Sequence, residues 1–172
     1  ATLNLKAGTH LDFVTKASYS VTVEVADAAA TGSVPATATF TLVVTNINEM
    51  PTNIALSATT IAENAGDNAI VGTLSTGDPD AGNAFTYTLV TGTGSTDNAA
   101  FNILGSELRA TASLNFEEKS SYSVRIRSTD QGGLFKEAAF TITVTDVNEA
   151  PTAVSLSPAA RSLADDTPTS ER

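Results

Sequence analysis

The sequence contains no cysteine and no tryptophan, and His10 is its single histidine. Without cysteine no disulfide can form, so a small β-rich domain outside the cell needs another staple, for which a bound metal is the usual substitute. One histidine without a cysteine cannot make a zinc site, and without a paired partner it is a poor catalytic base. We therefore expect His10 to be a surface residue and the chain to have no enzymatic activity.

Basic side chains are also scarce, since 9 lysines and arginines face 19 aspartates and glutamates and give a formal net charge of -10. Such a surface repels nucleic acid and anionic membranes but suits cations. No apolar run approaches the roughly 18 residues needed to span a bilayer, and the opening "ATLNLKAGTH" lacks the pattern of a signal peptide. We expect no nucleic-acid partner and no membrane span in this segment.

The sequence repeats itself with a period near 100 residues. "TNINEMPT" (residues 45–52) returns as "TDVNEAPT" (145–152), and "LDFVTKASYSVTVEVAD" (11–27) is similar to "LNFEEKSSYSVRIRSTD" (114–130). A period of this length implies a row of independently folded domains, because solenoid repeats are shorter. The chain therefore divides into the C-terminal half of one repeat (1–50), a complete repeat (51–150) and the opening strand of a following repeat (151–172).

Alternation of apolar and polar residues predicts β-strands throughout. In "SYSVRIRS" (residues 121–128) and "FTITVTDV" (140–147) every second residue is apolar for most of the run, which indicates strands with one buried face. Clusters of Gly, Asp and Asn mark the turns between such runs. About seven strands between Thr52 and Val147 fit an all-β fold, a Greek-key, seven-stranded, immunoglobulin-like β-sandwich in a tandem array. Residues 1–50 carry only about three strands, too few for a stable sandwich.

Carboxylates and asparagines gather at strand ends and turns. Within the complete repeat these residues are Glu63, Asp78, Asp80, Glu117, Asp130, Asp146, Asn148 and Glu149. Two like charges 4 Å apart repel by about 4 kcal/mol at an effective dielectric constant of 20. Oxygen ligands at this density suit Ca²⁺, which takes six to eight of them. For any one of these residues a simple turn cap is the alternative, because Asp and Asn side chains cap turns without a metal.

The same segments resemble the motifs of cadherin repeats, in the form found in large bacterial surface proteins. "IAEN" (residues 61–64) resembles the x-Glu-Asn motif of that family, "DPD" (78–80) its Asp-x-Asp, "LNFE" (114–117) its Leu-Asp-x-Glu, "TDQGG" (129–133) its Ala-x-Asp-x-Gly, and "DVNEAP" (146–151) its interdomain linker. Each motif alone is weak, but five in order over nearly the whole chain are specific. The resemblance implies a cadherin-like sandwich, an extracellular or cell-surface location, and Ca²⁺ between successive domains that makes the array stiff.

The resemblance also implies two sets of calcium ligands. The set at the first junction is Asp12, Asn46, Asn48 and Glu49, together with Asp78, Asp80 and Asp130. The set at the second junction is Glu63, Asn115, Glu117, Asp146, Asn148 and Glu149. In the first copy Val14 stands where the family has a glutamate, and Asn46 replaces the first aspartate of the linker. We therefore expect one ion at the first junction instead of the family's three.

Two classes of function fit these features. One is mechanical: a calcium-stiffened array that provides spacing and adhesion in a large extracellular or cell-surface protein, with neighbouring repeats as partners. The other is recognition, by homophilic adhesion or by binding of polysaccharide; the strand exchange of animal cadherins through an N-terminal tryptophan is excluded here. A further alternative is a filament, in which residues 151–172 of one copy complete residues 1–50 of the next, head to tail. Truncation within flanking domains is the simpler explanation of the incomplete ends.

Overall fold

The computed structural model describes residues 4–26, 29, 32, 34–151 and 154. Ten strands and one turn of 3-10 helix form within them. The strands are β1 (Ser18–Val25), β2 (Ala36–Val43), β3 (Asn53–Leu56), β4 (Thr60–Ala62), β5 (Ile70–Gly77), β6 (Thr86–Leu89), β7 (Phe101–Leu104), β8 (Glu107–Ala110), β9 (Ser121–Thr129) and β10 (Phe135–Thr145), and the 3-10 turn (Asn98–Ala100) precedes β7. Among the described residues there is no helix with the length and apolar character required to cross a membrane.

Strands β3 to β10 form a sandwich of two four-stranded sheets. One sheet has the order β4-β10-β9-β6, and the other has the order β3-β5-β8-β7. Neighbouring strands are antiparallel except for β4 and β10, which are parallel. The short strands β3 and β4 are two parts of one edge strand that passes from one sheet to the other, so the eight strands occupy seven positions. The predicted all-β, seven-stranded Greek-key sandwich is confirmed.

The core lies between the two sheets, on the apolar face that the alternating pattern predicted. Its buried residues are Ile61, Val71, Leu74, Phe101, Leu108, Ala110, Leu114, Val124, Ile126, Ile142 and Val144. The ring of Phe101 meets that of Tyr122 edge to face, with the ring centroids 5.7 Å apart. On the outer face of β9, Arg125 and Arg127 both form ion pairs with Glu137 of β10. Strand β9 therefore links the core to a polar outer surface.

Strands β1 and β2 form a separate two-stranded sheet that repeats the pairing of β9 and β10. Ser18 pairs with Val43 in the first sheet, and Ser121 pairs with Thr143 in the second. These pairs are related by the offsets of the sequence repeat, since 121 - 18 = 103 and 143 - 43 = 100. Of the three strands expected in residues 1–50, the described part forms two. The counterpart of β8 forms no strand there, because β8 pairs with β5 and β7 and the first copy holds no counterpart of either.

Part of the apolar face of β1 and β2 is open to solvent. Val23 and Leu42 are each 41% exposed, whereas their counterparts Ile126 and Ile142 in the complete repeat are fully buried. Phe40 of β2 is 57% exposed. Tyr19 and Val21 on the same face are half-buried, and together with Leu42 they line a cavity that Leu5 and Leu11 also border. The face that closes the core in the complete repeat is therefore only partly covered by the described residues in the first copy.

The position of the core can be tested in the hairpin formed by β7 and β8. We expect Leu108→Ala to lower the free energy of unfolding by about 2 to 5 kcal/mol, because Leu108 is fully buried and its truncation leaves a cavity. The matched control is Leu104→Ala. Because Leu104 is 62% exposed, this substitution should change the free energy of unfolding by less than about 0.5 kcal/mol. Urea denaturation measures both values, and equal losses would contradict the assignment of the core.

Candidate calcium sites

The carboxylate of Glu63 lies at the centre of the second junction. Glu63 follows β4, is 2% exposed, and precedes Asn64, whose positive φ of 56° turns the chain. The backbone N–H of Phe116 donates to its Oε2 at 2.9 Å, and the backbone N–H of Val147 donates to its Oε1 at 2.7 Å. These two hydrogen bonds, that of Phe116 first, lower the pKa of Glu63 below its ordinary value. Glu63 thereby ties the segment before β9 to the linker that leaves β10.

Three further carboxylates converge on Glu63. One oxygen from each of Glu63, Glu117, Asp146 and Glu149 lies within 4.8 Å of the others. A backbone hydrogen bond within its own residue lowers the pKa of Glu117, but desolvation and the charges of Glu149 and Glu63 outweigh it, so this pKa lies above its ordinary value. Within the part of the chain that the structure describes, no lysine or arginine forms an ion pair with these acids. Their oxygens fit a hard divalent cation such as Ca²⁺.

Asparagine side chains border the same cluster. The Nδ2 group of Asn64 donates to Oε1 of Glu149 at 2.6 Å. Asn64 was not among the site residues predicted from the sequence. The x-Glu-Asn motif, which contains Asn64, was the signal that could have found it. Asn115 instead caps its own turn, because its Oδ1 accepts the backbone N–H of Glu118 at 3.1 Å. Asn148 lies in the linker and is exposed.

The first junction lies beyond the opposite end of β9, where the linker after β2 contacts two turns of the sandwich. The Nδ2 group of Asn46 donates to Oδ1 of Asp80 at 2.9 Å, and the backbone N–H of Glu49 donates to Oδ2 of the same residue at 2.7 Å. The Nδ2 group of Asn48 donates to Oδ2 of Asp130 at 3.0 Å. Asp80 and Asp130 are each 6% exposed. The structure thus brings these five predicted residues together.

Asp78 and Asp130 also order the turns that carry them. The backbone N–H of Asp80 donates to Oδ1 of Asp78 at 2.8 Å, and that of Leu134 donates to Oδ1 of Asp130 at 2.9 Å. The Oδ2 atom of Asp78 is buried and has no hydrogen-bond partner among the described residues. Every other carboxylate oxygen of Asp78, Asp80 and Asp130 therefore accepts a hydrogen bond from an N–H group.

Asp12 forms its described bonds within its own turn. Its Oδ1 accepts the backbone N–H of Val14 at 2.9 Å, and its Oδ2 accepts the hydroxyl of Thr15 at 2.7 Å. The hydrogen bonds from Thr15 contribute most to lowering the pKa of Asp12. No described hydrogen bond joins Asp12 to the first junction. Direct contact with a metal ion stays a prediction for Asp12 and for each of the other proposed ligands.

Comparison with known proteins supports the cadherin-like fold. Over 147 residues the sequence is 30% identical to protocadherin Fat 2 of Rattus norvegicus, a match that covers 82% of this chain but only 3% of that protein. The solved extracellular cadherin domains 3–6 of protocadherin Gamma B2 match with a TM-score of 0.66 and 19% identity, over 80% of this chain and 34% of that one. Extracellular domains 1–2 of human protocadherin-24 match with a TM-score of 0.60 and 22% identity, over 80% and 70% of the two chains.

No family model matches the chain. The chain therefore has a cadherin-like fold and spans a small part of the curated relative that it matches. The bacterial form of the repeat, expected from the sequence, stays a prediction.

The role of Glu63 predicts a specific dependence on pH. Because its folded pKa is lowered, its contribution to stability is present above the ordinary value of about 4.5 and is lost as the pH falls through the depressed pKa. In EDTA at pH 7 we expect the Glu63→Gln variant to unfold at a lower urea concentration than the unsubstituted chain. On acidification the urea midpoint of the variant should fall by less than that of the unsubstituted chain. The control is Glu118→Gln, which leaves the hydrogen bonds of Glu63 intact. Parallel pH profiles for the Glu63 variant and the unsubstituted chain would contradict this role.

Proposed function

We propose that the chain is a calcium-binding segment of a large extracellular or cell-surface protein, in which Ca²⁺ stiffens the junctions between cadherin-like domains for spacing and adhesion. The observation that carries the proposal is the convergence of Glu63, Glu117, Asp146 and Glu149 at the end of the sandwich from which the linker leaves. No catalytic role is proposed, and the partners are calcium and neighbouring cadherin-like domains.

The origin of the four carboxylates explains how one ion would stiffen the chain. Glu63 follows β4 and Glu117 precedes β9, whereas Asp146 and Glu149 lie in the linker after β10. A cation held by all four therefore fixes the linker to the body of the domain, and it also neutralises their mutual repulsion. Pro151 continues the linker with a fixed φ angle.

Extracellular calcium sites bind with dissociation constants of about 10⁻⁴ to 10⁻³ M. Such sites fill at millimolar calcium outside the cell and stay empty in calcium-poor cytoplasm. Millimolar calcium is about 1 to 10 times such a dissociation constant, so one bound ion adds about 0.4 to 1.4 kcal/mol to the stability of the folded state. The site therefore couples stiffness to the extracellular environment.

The first junction is proposed as a second, weaker calcium site. Its ligands would come from the predicted set of Asp12, Asn46, Asn48, Glu49, Asp78, Asp80 and Asp130. The buried and unpartnered Oδ2 of Asp78 supports this assignment, because an isolated charged oxygen in a buried position requires compensation. The hydrogen bonds that the other oxygens accept oppose strong binding there.

Calcium binding at the second junction predicts opposite effects of one substitution in two buffers. In EDTA, Glu117→Gln should raise the melting temperature, because the raised pKa of Glu117 reflects a charge that its neighbours disfavour. On addition of millimolar Ca²⁺ the melting temperature of the same variant should rise by less than that of the unsubstituted chain, because the variant has lost an anionic ligand. Differential scanning calorimetry measures both effects, and titration calorimetry measures the number of ions bound.

The matched control is Glu118→Gln, the next residue, which lies outside the cluster and should follow the unsubstituted chain in both buffers. A chain whose melting temperature does not respond to Ca²⁺, or a Glu117 variant that keeps the full gain, would refute calcium binding at this site.

A head-to-tail filament is a second candidate, favoured by the partly exposed apolar face of β1 and β2, where Val23, Phe40 and Leu42 are open to solvent. In the complete repeat β4 pairs in parallel with β10, with Val144 opposite Ile61, and the corresponding edge of β2 is free of any described strand. The proposed occupant is the repeat-opening segment of a second copy, residues 151–172. Apart from residues 151 and 154, this segment lies outside the described residues.

Light scattering tests the filament directly. A mass that rises with protein concentration, and that returns to the monomer value when residues 151–172 are removed, is the expected result. The same monomer mass at every concentration would contradict it.

A further inference from the structure

The two linkers have similar sequences but opposite surroundings. In "TNINEMPT" (residues 45–52) two side-chain amides and one backbone N–H donate to buried aspartates. In "TDVNEAPT" (145–152) the linker contributes two carboxylates to a cluster of four. The first linker therefore contacts the sandwich that follows it through hydrogen-bond donors that face acceptors. The second linker contacts the sandwich that precedes it through carboxylates that face carboxylates.

We infer that the first junction is latched by the hydrogen bonds of Asn46, Asn48 and Glu49 and keeps its geometry without a divalent cation, whereas the second junction requires one. The statement about the second junction rests on the proposed function. The latch at the first junction does not depend on calcium binding at the second.

Four features make the latch strong. Each hydrogen bond has an ionised acceptor, and such bonds are about twice as strong as neutral ones. The acceptors Asp80 and Asp130 are almost fully buried, so water competes poorly for them. One donor is the backbone N–H of Glu49, which depends on the path of the linker and not on a side chain. The three bonds also reach two separate turns, which restricts rotation of the linker.

The same geometry opposes occupation by a cation. An N–H group cannot ligate a metal, so Asn46 and Asn48 would have to turn their Oδ1 atoms inward and give up their bonds to Asp80 and Asp130. Among the described residues, the one group of three or more acids with ligand atoms within 4.8 Å of one another is that at the second junction. An ion at the first junction would therefore compete with the latch.

Gly132 provides the space that Asn48 occupies. A Cβ atom at position 132 would lie 2.6 Å from Oδ1 of Asn48 and would overlap the rest of its amide group. The φ angle of Gly132 lies outside the left-handed region, so alanine there causes no backbone strain of that kind. Gly132→Ala consequently displaces Asn48 without changing any charge, which separates the latch from electrostatic effects.

Cleavage by a glutamate-specific protease compares the two junctions within one molecule. The bonds Glu49–Met50 and Glu149–Ala150 occupy equivalent places in the two linkers, and fragment masses identify which bond is cut. Cleavage reports the population of locally opened linker. In the unsubstituted chain, we expect the rate at Glu49–Met50 to agree within about twofold between EDTA and millimolar Ca²⁺, while Glu149–Ala150 is cut about tenfold faster in EDTA.

Two variants test the cause of this difference. Asn48→Asp places a carboxylate against Asp130, so the first linker should be cut about tenfold faster in EDTA and regain protection in Ca²⁺. Gly132→Ala should increase cutting at the first linker in both buffers. The matched control is Asn148→Asp, the equivalent change in the second linker, which should leave cutting at Glu49–Met50 unchanged.

The latch and the proposed function fail in different ways. If Glu49–Met50 in the unsubstituted chain is cut as fast in EDTA as Glu149–Ala150, or becomes protected only in Ca²⁺, the latch is overturned. If both Asn48→Asp and Gly132→Ala leave its cutting unchanged, the latch is overturned as well. If Ca²⁺ changes neither cutting at Glu149–Ala150 nor the melting temperature, the proposed function fails, while protection of Glu49–Met50 in EDTA would still support the latch.

Discussion

The antiparallel pairing of β9 and β10 determines where everything else in the complete repeat lies. Its inner face supplies Val124, Ile126 and Ile142 to the core, and its outer face holds the arginines bound by Glu137. Its two ends carry the chemistry, because Asp130 follows β9 at one end and Asp146 follows β10 at the other. At about 3.3 Å per residue, the length of β9 keeps the two acidic sites well apart. A single ladder therefore separates the packed core from the two acidic clusters.

The same ladder also explains the state of the first copy. Strands β1 and β2 keep the register of β9 and β10 although most of the sandwich around them is absent from the described residues. The pairing of two neighbouring antiparallel strands thus follows from the alternation of apolar and polar residues within those two strands. The counterpart of β8 has no such local partner and stays irregular. Its strand structure in the complete repeat depends on β5 and β7, which are distant along the chain.

Alternation and turn composition predicted the fold because a sheet with one buried face leaves a period of two in the sequence. The order of the acidic motifs likewise predicted which residues meet, and Glu63, Glu117, Asp146 and Glu149 converge. The direction of hydrogen bonds could not be predicted in this way. Asp12 caps its own turn, and the amides of the first linker donate to aspartates, because both outcomes depend on which N–H group lies within about 3 Å once the chain is folded.

The difference between the two junctions follows from small changes in similar sequences. Asparagine and aspartate have nearly the same shape, but an amide attracts the carboxylate that a second carboxylate repels. Asn46 therefore converts a position that would add negative charge beside Asp80 into one that donates a hydrogen bond to it. The absence of a side chain at Gly132 lets Asn48 do the same at Asp130. The second linker has asparagine and glutamate at the same places as Asn48 and Glu49, so the difference depends on Asn46, where the second linker has Asp146, and on the turns of the domain that each linker contacts.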